Sequence, residues 1–169
     1  MRRPARAKRL RRKRTRCGDC ADCHGQRQPS SMADRPQGGV GAEHQVVAAI
    51  LRRGQRVLLC HRRPERRWYP DAWDLPGGHV EDGELPRQAL MREICEELGV
   101  RITALTEPIA HVKGPDLRMD IWLVDTWTGN AGNLAPDEHD DLGWFDLEQS
   151  SHLHLAHPRL HDLLATVLD

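Results

Sequence analysis

Three glutamates in one short stretch, Glu93, Glu96 and Glu97, are the residues whose types and spacing could do chemistry. Spaced i, i+3 and i+4, they fall within an arc of about 100° if the segment is helical, so three carboxylates face the same space. A helix is predicted there, from about Pro86 to Leu98, with proline at the favoured first position and Gly99 as its stop. The adjoining stripe of Leu90, Met91, Ile94 and Leu98 holds that face close to a core. Like charges at this spacing disfavour an isolated helix by roughly 0.2 to 0.5 kcal/mol per pair, so something positive is expected nearby. Arg92 supplies part of it, and clustered hard oxygens are also how Mg²⁺ is held, through a few carboxylates together with water and phosphate oxygens. From the three glutamates alone, a solvated acidic face is the plainer reading.

The preceding loop changes that balance. Counted from Gly78, the chain has five residues, Glu84, seven residues, and then Arg92-Glu93-Ile94-Cys95-Glu96-Glu97-Leu98-Gly99-Val100. This resembles the Nudix box with every specified position filled, a match expected by chance on the order of once in 10⁸ starting positions at ordinary residue usage. The resemblance covers about residues 44 to 168. It implies an α+β fold, an α/β/α sandwich in which helices flank a mixed sheet. It also implies Mg²⁺ (or Mn²⁺) ligation by Glu96 and Glu97, with the Gly77 carbonyl as a further ligand and Glu93 binding metal directly or through water. Arg92 would orient Glu93, and Glu84 would have a structural place near the positive end of the helix dipole. Glu138, six residues before Trp144, matches a distal glutamate that serves some members as ligand or base, with Asp137, Asp140 and Asp141 as competitors. Either Glu93 or Glu138 would be the general base. Two departures stand out: Leu85 replaces the usual small hydroxyl cap, a loss of about 1 kcal/mol, and Asp71 stands where related chains often have glycine.

The activity implied is metal-dependent hydrolysis of a diphosphate linkage in a small nucleotide. The compact domain looks most like the MutT-type branch, which converts nucleoside triphosphates, including oxidised ones, to the monophosphate and pyrophosphate. An ADP-ribose or nucleotide-sugar pyrophosphatase is the alternative, pointed to by Pro115, fifteen residues past Val100. The run Leu58 to Arg62 with Arg67 faintly resembles the coenzyme A branch. A different class is a catalytically silent sensor of nucleotide or RNA, against which the complete acidic cluster speaks. Trp68, Tyr69, Trp73, Trp122, Trp127 and Phe145 could stack a base, although aromatics in a small sheet domain more often form core.

The elements that must position these residues follow from pattern. Gln45–Leu51 and Arg56–Cys60, around Arg52-Arg53-Gly54-Gln55, read as a β-hairpin. The stretch 68–78, rich in proline and glycine, reads as an irregular loop with one short strand. Arg101–Val112, Met119–Trp127 and Leu142–Phe145 read as strands, and Pro158–Leu168 as a last helix. Strands without βαβ alternation argue for a mixed sheet.

At 169 residues the chain has room for one catalytic domain. Its zero net charge hides an asymmetry: residues 1–31 hold 11 Lys and Arg against 2 Asp and Glu, and the remainder 14 against 23. Residues 1–41 therefore read as a basic, disordered extension and 42–169 as the domain, with nucleic-acid contact expected only through the tail. Within the tail, Cys17, Cys20, Cys23 and His24 could ligate zinc or haem, or belong to a transcription regulator. Cys60 and Cys95, isolated in apolar surroundings, read as small buried hydrophobes. With no long apolar run, membrane partners are not expected and a cytoplasmic setting is; the oligomeric state is not encoded in any recognisable pattern.

Overall fold

The computed structural model describes residues 44–114 and 117–169. Residues 1–43, with the cysteine cluster, and Pro115, cited above for the nucleotide-sugar alternative, lie outside them.

The alternation of faces along one strand organises the molecule. β1 (His44–Arg53) turns Val47, Ala49 and Leu51 to one side and Ala48 and Ile50 to the other, and all five are buried. A strand apolar on both faces must be covered on both. On the first face lies α1 (Pro86–Leu98), packing Leu90, Ile94 and Leu98; on the second lies α3 (Arg159–Leu168), packing Leu160, Leu164 and Leu168. This is the helix, sheet, helix layering that the resemblance implied.

The sheet is mixed. β1 pairs in parallel with β7 (Leu117–Val124), and antiparallel with β4 (Gly77–His79) along its first half and with β2 (Arg56–Arg62) at its far end. β2 carries β3 (Trp73–Asp74) and β9 (His139–Phe145), and β7 carries β6 (Ala110–Lys113) at the edge. β1 and β2 therefore diverge from a tight turn at Gly54, whose φ of 60 lies in the left-handed region that glycine tolerates. The opening between them is filled by β3 and β4, the approach to the box.

The hairpin, α1 and the last helix stand where expected, but other expectations fail. Neither Arg101–Val112 nor Met119–Trp127 is one strand: β5 (Arg101–Ile102) pairs with β8 (Trp127–Thr128) in a separate two-stranded sheet, β6 begins only at Ala110, and β7 ends at Val124. Pro108 lies in the break, and it cannot donate to a ladder. A short helix, α2 (Leu147–Ser151), was not foreseen; Asp146 caps it by accepting from the Gln149 N–H at 2.9 Å. Stretch 68–78 yields two short strands where one was expected. Cys60 and Cys95 are both buried, Cys60 as a free thiol. No described helix is long and apolar enough to cross a membrane.

Candidate active site

The box begins where β4 is pressed against β1. A side chain at Gly77 would place its Cβ 2.1 Å from the Val47 carbonyl oxygen, and at Gly78 2.5 Å from the Glu93 carboxyl group. Gly77 is glycine so that two backbones can touch, and Gly78 so that a carboxylate can lie against the chain. After β4 the segment turns at Gly83 and enters α1. Leu85 at the N-cap offers no side-chain acceptor, as its identity dictates, but the Gln88 side chain reaches back and accepts the Leu85 N–H at 3.1 Å. Half of a capping box is thereby kept.

Arg92 is the hub of the cluster. Its Nε and Nη2 donate to the two oxygens of Glu84 at 3.0 and 2.9 Å, its Nη1 to Glu93 at 2.8 Å and to Glu96 at 3.4 Å, and its Nη2 also to the His79 carbonyl at 3.1 Å. The guanidinium is fastened to both the loop and the helix. Glu84 also accepts the Glu81 N–H at 3.1 Å; burial opposes its ionisation, yet these hydrogen bonds and the Arg92 charge hold its proton affinity below the ordinary carboxylate range.

Glu97 is the deepest of the acids. It is 5% exposed and accepts the Gly77 N–H at 3.0 Å. Burial first, then the charges of Glu93, Glu138 and Asp74, push its proton affinity well up, with the Gly77 N–H opposing. Burial also raises Glu93, with the charges of Glu96 and Glu138 adding to it and Arg92 opposing. Glu138 is therefore brought within electrostatic reach of both acids from the far end of the chain. The segment that carries it is tied to the box helix: the Gly132 N–H donates to the Leu98 carbonyl at 3.0 Å and the Leu134 N–H to the Glu97 carbonyl at 2.7 Å. These use carbonyls that the C-terminus of α1 leaves unpaired.

Two of the competitors of Glu138 have other partners. Asp140 lies 2.6 Å from His61 Nδ1, and the Asp141 carboxylate accepts the Leu142 N–H at 2.8 Å. Sequence reasoning missed Arg66, whose Nη2 is 2.8 Å from Glu138 Oε2, and Asn133, which folds the acidic loop by donating to the His139 carbonyl at 2.7 Å and accepting the Ala135 N–H at 3.1 Å. Arg66 was visible only as one of a run of arginines, and Asn133 carried no signal.

As a donor set, Glu93, Glu96 and Glu97 fit a hard divalent cation: all are oxygen ligands, and the half-buried Glu93 and the buried Glu97 have raised proton affinity, the mark of a site that favours added positive charge. As placed, the carboxylates are turned toward Arg92 and the Gly77 N–H, and among the described residues no three acidic, histidine or cysteine side chains converge as a ready metal cage.

Comparison with known proteins agrees with this arrangement. The family model of the NUDIX domain matches residues 42–167. The chain is 36% identical over 115 residues to the CTP pyrophosphohydrolase of Escherichia coli K12, covering 66% of this chain and 82% of that one. It is 39% identical over 86 residues to the 8-oxo-dGTP diphosphatase of Proteus vulgaris, covering 48% and 76%. The crystal structure of a MutT NUDIX hydrolase from Burkholderia pseudomallei superposes with a TM-score of 0.58 at 30% identity, covering 63% of this chain and 84% of the other. The filled box, the layered mixed sheet that carries it and these likenesses together place the chain in the Nudix hydrolase family, among its MutT-like pyrophosphohydrolases.

Proposed function

We propose that the chain hydrolyses a nucleoside triphosphate, including oxidised forms, to the monophosphate and pyrophosphate with the help of Mg²⁺ or Mn²⁺. The observation that carries this reading is the placing of Glu93 and Glu97 of α1 against the Gly77-Gly78 edge, with Glu138 brought within electrostatic reach from a second, distant place in the chain, about a position whose chemistry favours a cation. The relatives named for CTP and 8-oxo-dGTP support the nucleotide class.

Nudix enzymes generally use divalent metals, and here Glu93, Glu96 and Glu97 would be the side-chain ligands, with the Gly77 carbonyl as a further one. When bound, the cation supplies neutralisation of the diphosphate oxygens and a rise in the acidity of nearby water. To serve it, Glu96 has only to leave its long 3.4 Å contact with Arg92, while Glu97 exchanges the Gly77 N–H. Arg92 keeps Glu93 and Glu84 in register across that change. Glu93, held by Arg92, takes the proton of the attacking water; the new P–O bond forms in line with the anhydride P–O bond that breaks, and pyrophosphate departs with the electron pair. Glu138, within electrostatic reach of Glu93 and held by Arg66, would be the second carboxylate of the water site. Catalysis is then chiefly positioning and electrostatics.

The deciding experiment is pyrophosphate release from CTP, the other common triphosphates and 8-oxo-dGTP, with Mg²⁺ and with Mn²⁺. Turnover of one triphosphate class that disappears in Glu97→Gln is expected. Release of phosphate alone, or turnover confined to ADP-ribose or nucleotide sugars, would overturn the triphosphate assignment.

A further inference from the structure

Most aromatic side chains are accounted for by packing. Trp122 is buried and donates its Nε1–H to the Thr106 carbonyl at 3.2 Å. Trp73 meets Phe145 edge to face at 4.7 Å, and Trp127 stacks on Trp144 at 6.1 Å beneath the Arg53 guanidinium. Trp68 and Tyr69 are different: consecutive in the segment between β2 and β3, they are 65% and 48% exposed. Two large apolar rings side by side in water call for an explanation that packing does not give.

The segment that displays them is firmly built. At its base the Arg62 N–H donates to the Ala72 carbonyl at 2.9 Å and the Asp71 N–H to the Arg62 carbonyl at 3.2 Å. The Arg62 side chain then braces the tip from inside, donating twice to the Trp68 carbonyl at 3.1 and 3.0 Å and once to Asp74 at 3.3 Å. Tyr69 and Asp71 sit at φ of 48 and 55, a region that residues with side chains rarely adopt and that is retained where the surroundings over-determine it. The same segment reaches the acidic cluster, because Arg66, two residues before Trp68, pairs with Glu138. Asp74, at the other end of the brace, leads directly into Leu75-Pro76-Gly77. A rigid aromatic pair is thus held on a segment whose two roots both belong to the site.

We infer that Trp68 and Tyr69 form a stacking rim for the base of the nucleotide whose phosphates are cleaved at Glu93 and Glu97. The inference rests on the nucleotide reading above and adds to it the place of the base. The Arg67 guanidinium carbon lies over the Trp68 ring, 5.2 Å from its centre, and the ring, 65% exposed, keeps surface for a base. Stacking accepts any base, since every base has a π face. The rim therefore separates nucleotides from bare polyphosphates and does little to separate one base from another.

The test is calorimetric binding, in the presence of Mg²⁺, of a methylene-bridged CTP analogue and of inorganic tripolyphosphate to the full chain and to Trp68→Ala and Trp68→Phe. Because Trp68 is exposed, the variants are expected to melt as the unaltered protein does. Trp68→Ala should weaken the analogue about tenfold or more and leave tripolyphosphate within about twofold, raising the KM for CTP in step; Trp68→Phe, which keeps a ring, should recover most of the loss. Equal affinity of Trp68→Ala and the unaltered chain for the analogue, or equal weakening of both ligands, overturns the rim. If the unaltered chain turns over CTP while Trp68→Ala is unaffected, the rim alone falls. If the unaltered chain neither binds the analogue nor releases pyrophosphate, the function falls and takes the rim with it.

Discussion

Glu97 shows how burial converts a side chain into a site. A carboxylate 5% exposed with a single N–H partner is costly when ionised, so its proton affinity is raised. Folding then favours the protonated form: this group's contribution to stability is fully present below its ordinary titration near pH 4.5 and is lost as pH rises through the raised value. In chelator, the unaltered protein should therefore melt higher relative to Glu97→Gln near pH 4.5 than at pH 8, with the variant equal or superior at pH 8. Turnover of the variant should fall on the order of 10³-fold. A melting difference that does not change with pH would remove the electrostatic account. The two glycines make a second pair of predictions. Gly77→Ala meets Val47 backbone at 2.1 Å from a φ of 151 and should cost more than about 3 kcal/mol in chemical denaturation. Gly78→Ala meets first the carboxyl end of Glu93, a side chain that can turn away without moving backbone, and should fold, with kcat lowered on the order of 10²-fold by the displaced carboxylate. All these residues were legible in the sequence because the box is a spacing pattern, and spacing survives translation into a helix. Arg66 was not legible, since its partner Glu138 is remote in sequence and nothing in a run of arginines singles out one.

At the scale of elements, the strongest periodicities gave the firmest expectations: α1 occupies Pro86–Leu98 because proline opens it, glycine closes it and the apolar stripe is unbroken. The long strand from Arg101 did not survive, since the apolar run conceals a change of partner from β8 to β7 around Pro108 that no local pattern reports. α2 was missed because five residues are too few to show a period; its signal was the Asp146 cap. The N-terminus of α1 carries a prediction of its own. Leu85 has the extended backbone of an N-cap, φ −80 and ψ 146, with an exposed side chain that neither caps nor packs. Leu85→Ser should add the missing acceptor beside the Gln88 contact and stabilise by about 1 kcal/mol, raising Tm by roughly 4 °C in calorimetry. Turnover should be unchanged, because Glu84 and Arg92 keep their partners. A lower Tm would mean that Leu85 contributes packing after all.

Taken whole, the molecule joins its two halves of the site through the C-terminus of α1. The helix that presents Glu93, Glu96 and Glu97 offers its last carbonyls to the loop that presents Glu138, so the distance between the two sets of carboxylates is fixed by backbone and not by long side chains. Asn133 closes that loop on itself, using its amide as both donor to His139 and acceptor from Ala135. Nothing in the sequence marks it, because its importance arises only once residues 97–98 and 132–134 are adjacent. Asn133→Ala removes two partly buried hydrogen bonds and should cost about 1 to 2 kcal/mol of stability. If Asn133 positions Glu138, kcat should also fall about tenfold while KM for the nucleotide holds. The two effects can be parted by a double-mutant cycle with Glu138→Gln. In the Glu138→Gln background, Asn133→Ala should still lower Tm by the same amount but should leave kcat where Glu138→Gln already put it, since there is no longer a carboxylate to misplace. Equal proportional losses of kcat in both backgrounds would show that Asn133 acts on the site without Glu138, and that the loop from 129 to 139 is a structural brace for the box helix and not the carrier of its second carboxylate.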